Sequence, residues 1–229
     1  MLGVASDGLV APPGLLDRPS DLSQLSVNGV VGSRPCVTRS AHRSARTFPR
    51  VPNHRVQEEW MGERVTTLED LLRPGLRAVC VGINPAPPSV EAGHYYQGRL
   101  GQGFFARLRQ AGVLPASFDG YEDDAAFAAG IGFTDIVKRP TASAKEVKPA
   151  EFKHGRELLK AKLAEHKPEL VIFTFKKTAQ THFGAFAGNG FVPGLKLAQS
   201  EVFVMPGPYE DAGTAAATTR QLTRRFKAA

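Results

Sequence analysis

Past residue 77 the chain alternates short apolar runs with longer amphipathic ones. Residues 78–83, 131–137, 169–175 and 201–205 are continuous Val/Ile/Phe-rich stretches, the pattern of central strands covered on both faces. Between them lie segments of helical character. Residues 104–111 stop at Gly112, and 149–165 place Phe152, Leu158, Leu159 and Leu163 on one face. Residues 176–183 stop at Gly184, and 214–227 follow the last strand. Strand alternating with helix predicts an α/β fold: a three-layer α/β/α arrangement around a central, mainly parallel four-stranded sheet. Thr66-Thr67-Leu68-Glu69 has the form of a capping box and predicts a short helix that Pro74-Gly75 ends. Residues 1–60 are rich in Pro, Gly, Ser and Arg without a sustained apolar period, and read as a disordered basic arm preceding a folded domain at 61–229.

Composition sharpens that outline. A chain of 229 residues can bury one sizeable core. No apolar run approaches the roughly 18 residues of a membrane span, and residues 1–30 lack the form of a signal peptide. Two cysteines, Cys36 and Cys80, are too few for a disulfide scaffold or an iron–sulfur cluster, and fit a reducing, cytosolic setting. The net charge is +7, of which residues 1–57 carry +4; residues 34–55 hold six Arg and no acid. Such an arm reads either as a polyanion contact or as a passive leader.

The chemistry concentrates after the first strand. The apolar run breaks into Gly82-Ile83-Asn84-Pro85, which sets one amide at a strand's carboxyl end, where open α/β sheets bind ligands. An amide there cannot serve as a general base, but it can orient a water or a carbonyl. The alternative is a turn residue bonded to its own loop. Tyr95 and Tyr96 follow in the next loop and offer faces to a planar base, or pack. The segments after the second and fourth strands are basic (Lys138-Arg139-Pro140-Thr141) and Pro/Gly-rich (residues 206–213). An aromatic slot beside basic groups suits a nucleobase on a phosphate backbone. No phosphate-loop or dinucleotide fingerprint is present to support a nucleotide-binding protein.

These blocks resemble the mismatch-specific uracil/thymine-DNA glycosylases. The likeness runs from Thr67 through Gly82-Ile83-Asn84-Pro85, Gly93-His94-Tyr95-Tyr96, Phe104-Phe105 and residues 132–141 to about Lys227. It implies a monofunctional uracil-DNA glycosylase, monomeric and cytoplasmic (nucleoid-associated in a bacterium). Such an enzyme flips a uracil out of double-stranded DNA carrying a mismatched or damaged base and hydrolyses its N-glycosidic bond. No metal or cofactor is implied, and His94 with Tyr95 is not a ligand set at metal spacing.

By the same resemblance Asn84 positions the attacking water, Tyr96 stacks on the base, and backbone at Gly82 and Ile83 binds its carbonyls. Lys176 matches a family Lys at a helix start, while Lys138 and Arg139 read from the residues alone either as a DNA phosphate contact or as a solvated basic corner. The loop Pro208-Tyr209-Glu210 stands where the family wedges into the stack, with Tyr209 as the wedge. Two departures stand out. Ala86-Pro87-Pro88 replaces a Gly after Pro85, and the acidic Glu210 and Asp211 face what should be DNA. Glu91, seven residues past Asn84, is a second candidate catalytic group or a solvated loop acid. Asp135 reads as a fold residue or capping acid. A catalytically silent relative that binds mismatches or abasic sites is the competing reading.

Overall fold

The computed structural model describes residues 53–184 and 188–228. Five strands form the main sheet: β3 (Ala78–Gly82), β4 (Ile131–Asp135), β5 (Leu170–Phe173), β6 (Gly190–Leu197) and β7 (Ser200–Val204). Their order is β4-β3-β5-β7-β6; the first four are mutually parallel, and β6 runs antiparallel on the edge beside β7. The three-layer α/β/α expectation therefore holds, with one strand more than the sequence pattern predicts. The helices are α1 (Pro87–Ala92), α2 (Arg99–Gln110), α3 (Glu122–Ala128), α4 (Pro149–His166), α5 (Lys176–Phe183) and α6 (Ala212–Lys227).

Alternate residues of each parallel strand face opposite sides, as the pleat requires. Cys80, Phe133, Ile172 and Phe203 pack with Phe104, Phe105 and Leu108 of α2 and Leu222 of α6. Val79, Val81, Val171, Phe173 and Val204 pack with Leu159 and Leu163 of α4 and Ala179 of α5. Both faces being covered is what makes these strands read as unbroken apolar runs. Helix α4 starts on Pro149, with the Glu151 carboxylate accepting the Lys148 N–H at 3.0 Å, and ends on Lys167 in the left-handed region. None of the helices among the described residues is long and apolar enough to cross a membrane.

The segment before the sheet departs from expectation. Residues Arg55–Trp60 (β1) and Glu63–Leu68 (β2) form an antiparallel hairpin, so Thr66 and Thr67 lie in a strand, not at a helix start. Met61 and Gly62 close it with φ values of 53° and 85°, the doubly left-handed turn that matches strand twist. Strand pairing thus reaches back to Arg55, inside the segment read as the arm. Residues 1–52 of that arm, with Cys36 and five of its six clustered arginines, lie outside the described residues.

Candidate active site

The carboxyl ends of β3 and β4 lie side by side, with Gly82 in register opposite Asp135. Above them opens a cavity of about 430 Å³. Gly82, Ile83, Asn84, Tyr96 and Asp135 line it together with Thr141, and Arg99 and Lys177 are exposed members of the lining. Sequence reading thus brought four of its residues to one place.

Asn84 is held by its own donors. Its Nδ2 donates to Thr141 Oγ1 at 2.8 Å and to the carbonyl oxygens of Arg139 and Pro85 at 3.2 and 3.3 Å. Thr141 spends its hydroxyl proton on the Ser143 carbonyl at 2.8 Å, so only its lone pairs face the amide. This fixes which end of the amide is which. The Asn84 carbonyl oxygen keeps no protein partner among the described residues, and it belongs to a side chain that lines the cavity. An oriented acceptor on the wall of a mostly apolar cavity can hold a water by its hydrogen.

Asp135 is the group that sequence reading passed over. It ends β4, is 2% exposed, and caps nothing: neither carboxylate oxygen has a hydrogen-bond partner. Burial pushes its pKa up to about 7, with Lys138 and Lys162 pulling down and Asp70 pushing up. A carboxylate closing a strand that is buried along its whole length was the available signal. The neighbouring Tyr96 hydroxyl is likewise buried without a partner. Gly82 is required between them, because a Cβ there would collide with Asp135 Oδ1 and come within 3.2 Å of the Tyr96 ring. Tyr96 itself holds φ at 58°, a strained value for a non-glycine, and its ring packs against Phe104, Phe105 and Phe133 at 5.3–5.8 Å. Tyr95 is the packing member of the pair, buried with its hydroxyl donating to the Glu69 carbonyl at 2.9 Å.

Several expected residues stand elsewhere. Glu91 is exposed on α1 and does not line the cavity. Lys138 is 3% exposed; its ammonium donates to the Leu68 carbonyl at 2.5 Å and to Asp70 at 2.9 Å, with Glu58 at 3.6 Å. Those partners draw it into the protein, where a DNA phosphate does not reach. Arg139 makes a bidentate pair with Glu151 at 2.8 and 2.7 Å and also donates to the Glu146 carbonyl. Those bonds hold the Glu151 carboxyl down at about 2. Both residues brace the fold, against the expectation of phosphate contact. At the start of α5 it is Lys177, one residue past Lys176, that lines the cavity.

The loop after β7 is tied down at one end and free at the other. Arg107 of α2 donates to the carbonyls of Pro206 and Gly207, and Asn189 donates to Glu210 at 2.8 Å. Pro208 is exposed and Tyr209 is 86% exposed at the tip. Asp211 has a separate duty, capping α6 by accepting the Thr214 N–H at 2.9 Å.

A sequence model described as the Uracil DNA glycosylase superfamily matches residues 69–215. The match takes in every residue placed around the cavity except Leu68. With the parallel sheet and the strand-end cavity it agrees on one conclusion: this chain belongs to the uracil DNA glycosylase superfamily.

Proposed function

We propose that this protein is a monofunctional, mismatch-directed uracil-DNA glycosylase, with Asn84 holding the attacking water and Asp135 accepting its proton. The observation that carries the reading is the pairing, in one cavity, of an amide whose donors are all engaged and a buried carboxylate with no partner.

Uracil rotated out of double-stranded DNA enters beside the Tyr96 ring, whose face replaces part of the lost stacking. The bond from the base N1 to the sugar C1′ breaks with its electron pair going to the base, leaving an oxocarbenium-like sugar. The ionised Asp135 carboxylate stabilises that positive charge across a low-dielectric site. Water oriented by the Asn84 carbonyl oxygen adds to C1′ and passes a proton to Asp135, which returns it to solvent or to the departing base. Backbone N–H groups about Gly82 and Ile83, which line the cavity, take up charge on the base carbonyls. Arg99 and Lys177 at the cavity supply the phosphate contacts that Lys138 and Arg139 do not. Tyr209 fills the gap left in the helix, and a guanine opposite that gap gives the mismatch preference.

The test is single-turnover release of uracil from labelled duplexes carrying one G·U or one A·U pair, with abasic sites revealed by alkali. Release from G·U should be the faster, and Asn84→Ala should slow it roughly 100-fold, the scale of losing a positioning contact. Tight binding to abasic DNA with no uracil release from any context would replace this reading with that of a silent DNA-binding relative.

A further inference from the structure

Four side chains from three separate segments converge beside the loop that carries Tyr96. They are His54 just before β1, His94 between α1 and α2, and Asp123 with Asp124 in the first turn of α3. One nitrogen or oxygen from each lies within 4.8 Å of all the others. His54 Nε2 stands 2.8 Å from Asp124 Oδ1; His94 Nδ1 stands 3.0 Å from Asp123 Oδ1 and 3.7 Å from Asp124 Oδ2. From this geometry we infer a structural divalent-metal site of the zinc class, with two imidazole nitrogens and two carboxylate oxygens as donors.

Bonds of about 2.0–2.2 Å in a tetrahedron set neighbouring donors roughly 3.3–3.6 Å apart. The three His–Asp contacts, at 2.8, 3.0 and 3.7 Å, lie on either side of that spacing, and the whole set falls within 4.8 Å, a span that side-chain rotations close. Charge argues the same way. Asp70 and Glu151, likewise drawn into the protein, have cationic partners: Lys138 and Lys162 for the first, Arg139 for the second. Asp123 and Asp124 form ion pairs with neither Lys nor Arg among the described residues; only the two histidines face them. A dication balances two carboxylates and leaves both imidazoles neutral, the form in which they ligate.

The surroundings orient the donors as a metal site requires. Asp123 is fully buried, its Oδ2 accepting the Tyr95 N–H at 2.7 Å and its Oδ1 the Asp124 N–H at 3.1 Å. Tyr121 stacks on the His94 ring at 3.6 Å between centroids. An ion here ties the chain entering β1 to the loop that presents Tyr96. The His54 N–H already bonds the Gly93 carbonyl at 2.9 Å along the same seam. The donors are scattered through the sequence, so no metal-binding spacing betrays them. None of the four donors lines the cavity that holds Asn84 and Asp135.

The untagged full-length chain, stripped with a chelator and exchanged into metal-free buffer, is titrated with Zn²⁺ by calorimetry and by thermal melting. One Zn²⁺ per chain should bind, with proton release and a rise in Tm of several degrees. Asp124→Asn, which keeps the side chain's shape at a partly buried position, should keep the native circular dichroism, weaken binding at least tenfold and abolish the Tm response. His54→Ala should do the same. Absence of one-to-one uptake by the wild type, or uptake unchanged in both variants, overturns the site and leaves two His–Asp hydrogen bonds in its place.

Discussion

Asp135 and Lys138 stand three residues apart at the end of one strand, both almost wholly buried, yet the fold treats them in opposite ways. The Lys138 ammonium is enclosed by a carbonyl and two carboxylates, whereas both Asp135 oxygens are left without a partner. A buried charge with all its partners stabilises the place where it sits, and removing it exposes them. A buried carboxylate with none costs stability, and it persists where something outside the protein completes it. The same contrast separates Arg139, saturated by Glu151, from Asn84, whose donors are engaged and whose acceptor is not. In both pairs the saturated member braces the fold and the unsaturated one lines the cavity.

Exchanging one residue on each side breaks the comparison most sharply. Asp135→Asn keeps the shape and removes the base, and uracil release should fall by roughly 100-fold or more. The same variant should be more stable at pH 8, melting several degrees higher. The sign follows from the raised pKa. The unfolded chain loses this proton near 3.8 while the folded protein keeps it to about 7, so stability declines as pH rises between those values. The advantage of Asn over Asp should therefore shrink toward pH 4, as a series of thermal melts would show. Lys138→Ala should do the reverse. Leaving Asp70 and Glu58 short of a cation costs about 3 kcal/mol in urea unfolding, while the excision rate of the folded fraction stays within a few-fold.

A smaller effect tests the space between Asp135 and Tyr96. Gly82→Ala pushes a methyl against Asp135 and the Tyr96 ring, and should slow excision roughly tenfold with little change in DNA affinity. Smallest of all, Lys177→Ala should weaken duplex binding a few-fold and reduce its salt slope by about one, whereas Lys176→Ala should leave the slope unchanged.

The scaffold was far more legible in the sequence than the saturation of its polar groups. Strands β3, β4, β5 and β7 announce themselves because both their faces are covered. Strand β6 escapes because Pro193-Gly194 interrupts it and a register shift follows between Phe191 and Lys196, which an edge strand tolerates. The β1–β2 hairpin escapes because its alternation is half polar, and Thr66-Thr67-Leu68-Glu69 imitates a helix start. Asn84 is readable from the break after β3. Asp135 is not, since the lack of a partner is a property of three dimensions. Nor could sequence show that Lys138 turns inward to Asp70, 68 residues away in the chain.

The most direct measurement is the pH profile of single-turnover uracil release from a G·U duplex, for the wild type and Asp135→Asn. The wild-type rate should climb with pH and level off around pH 7, and the variant should be slow and flat across the range. A variant that keeps the wild-type rate, or the same inflection, would show that the unpartnered carboxylate takes no part in the chemistry.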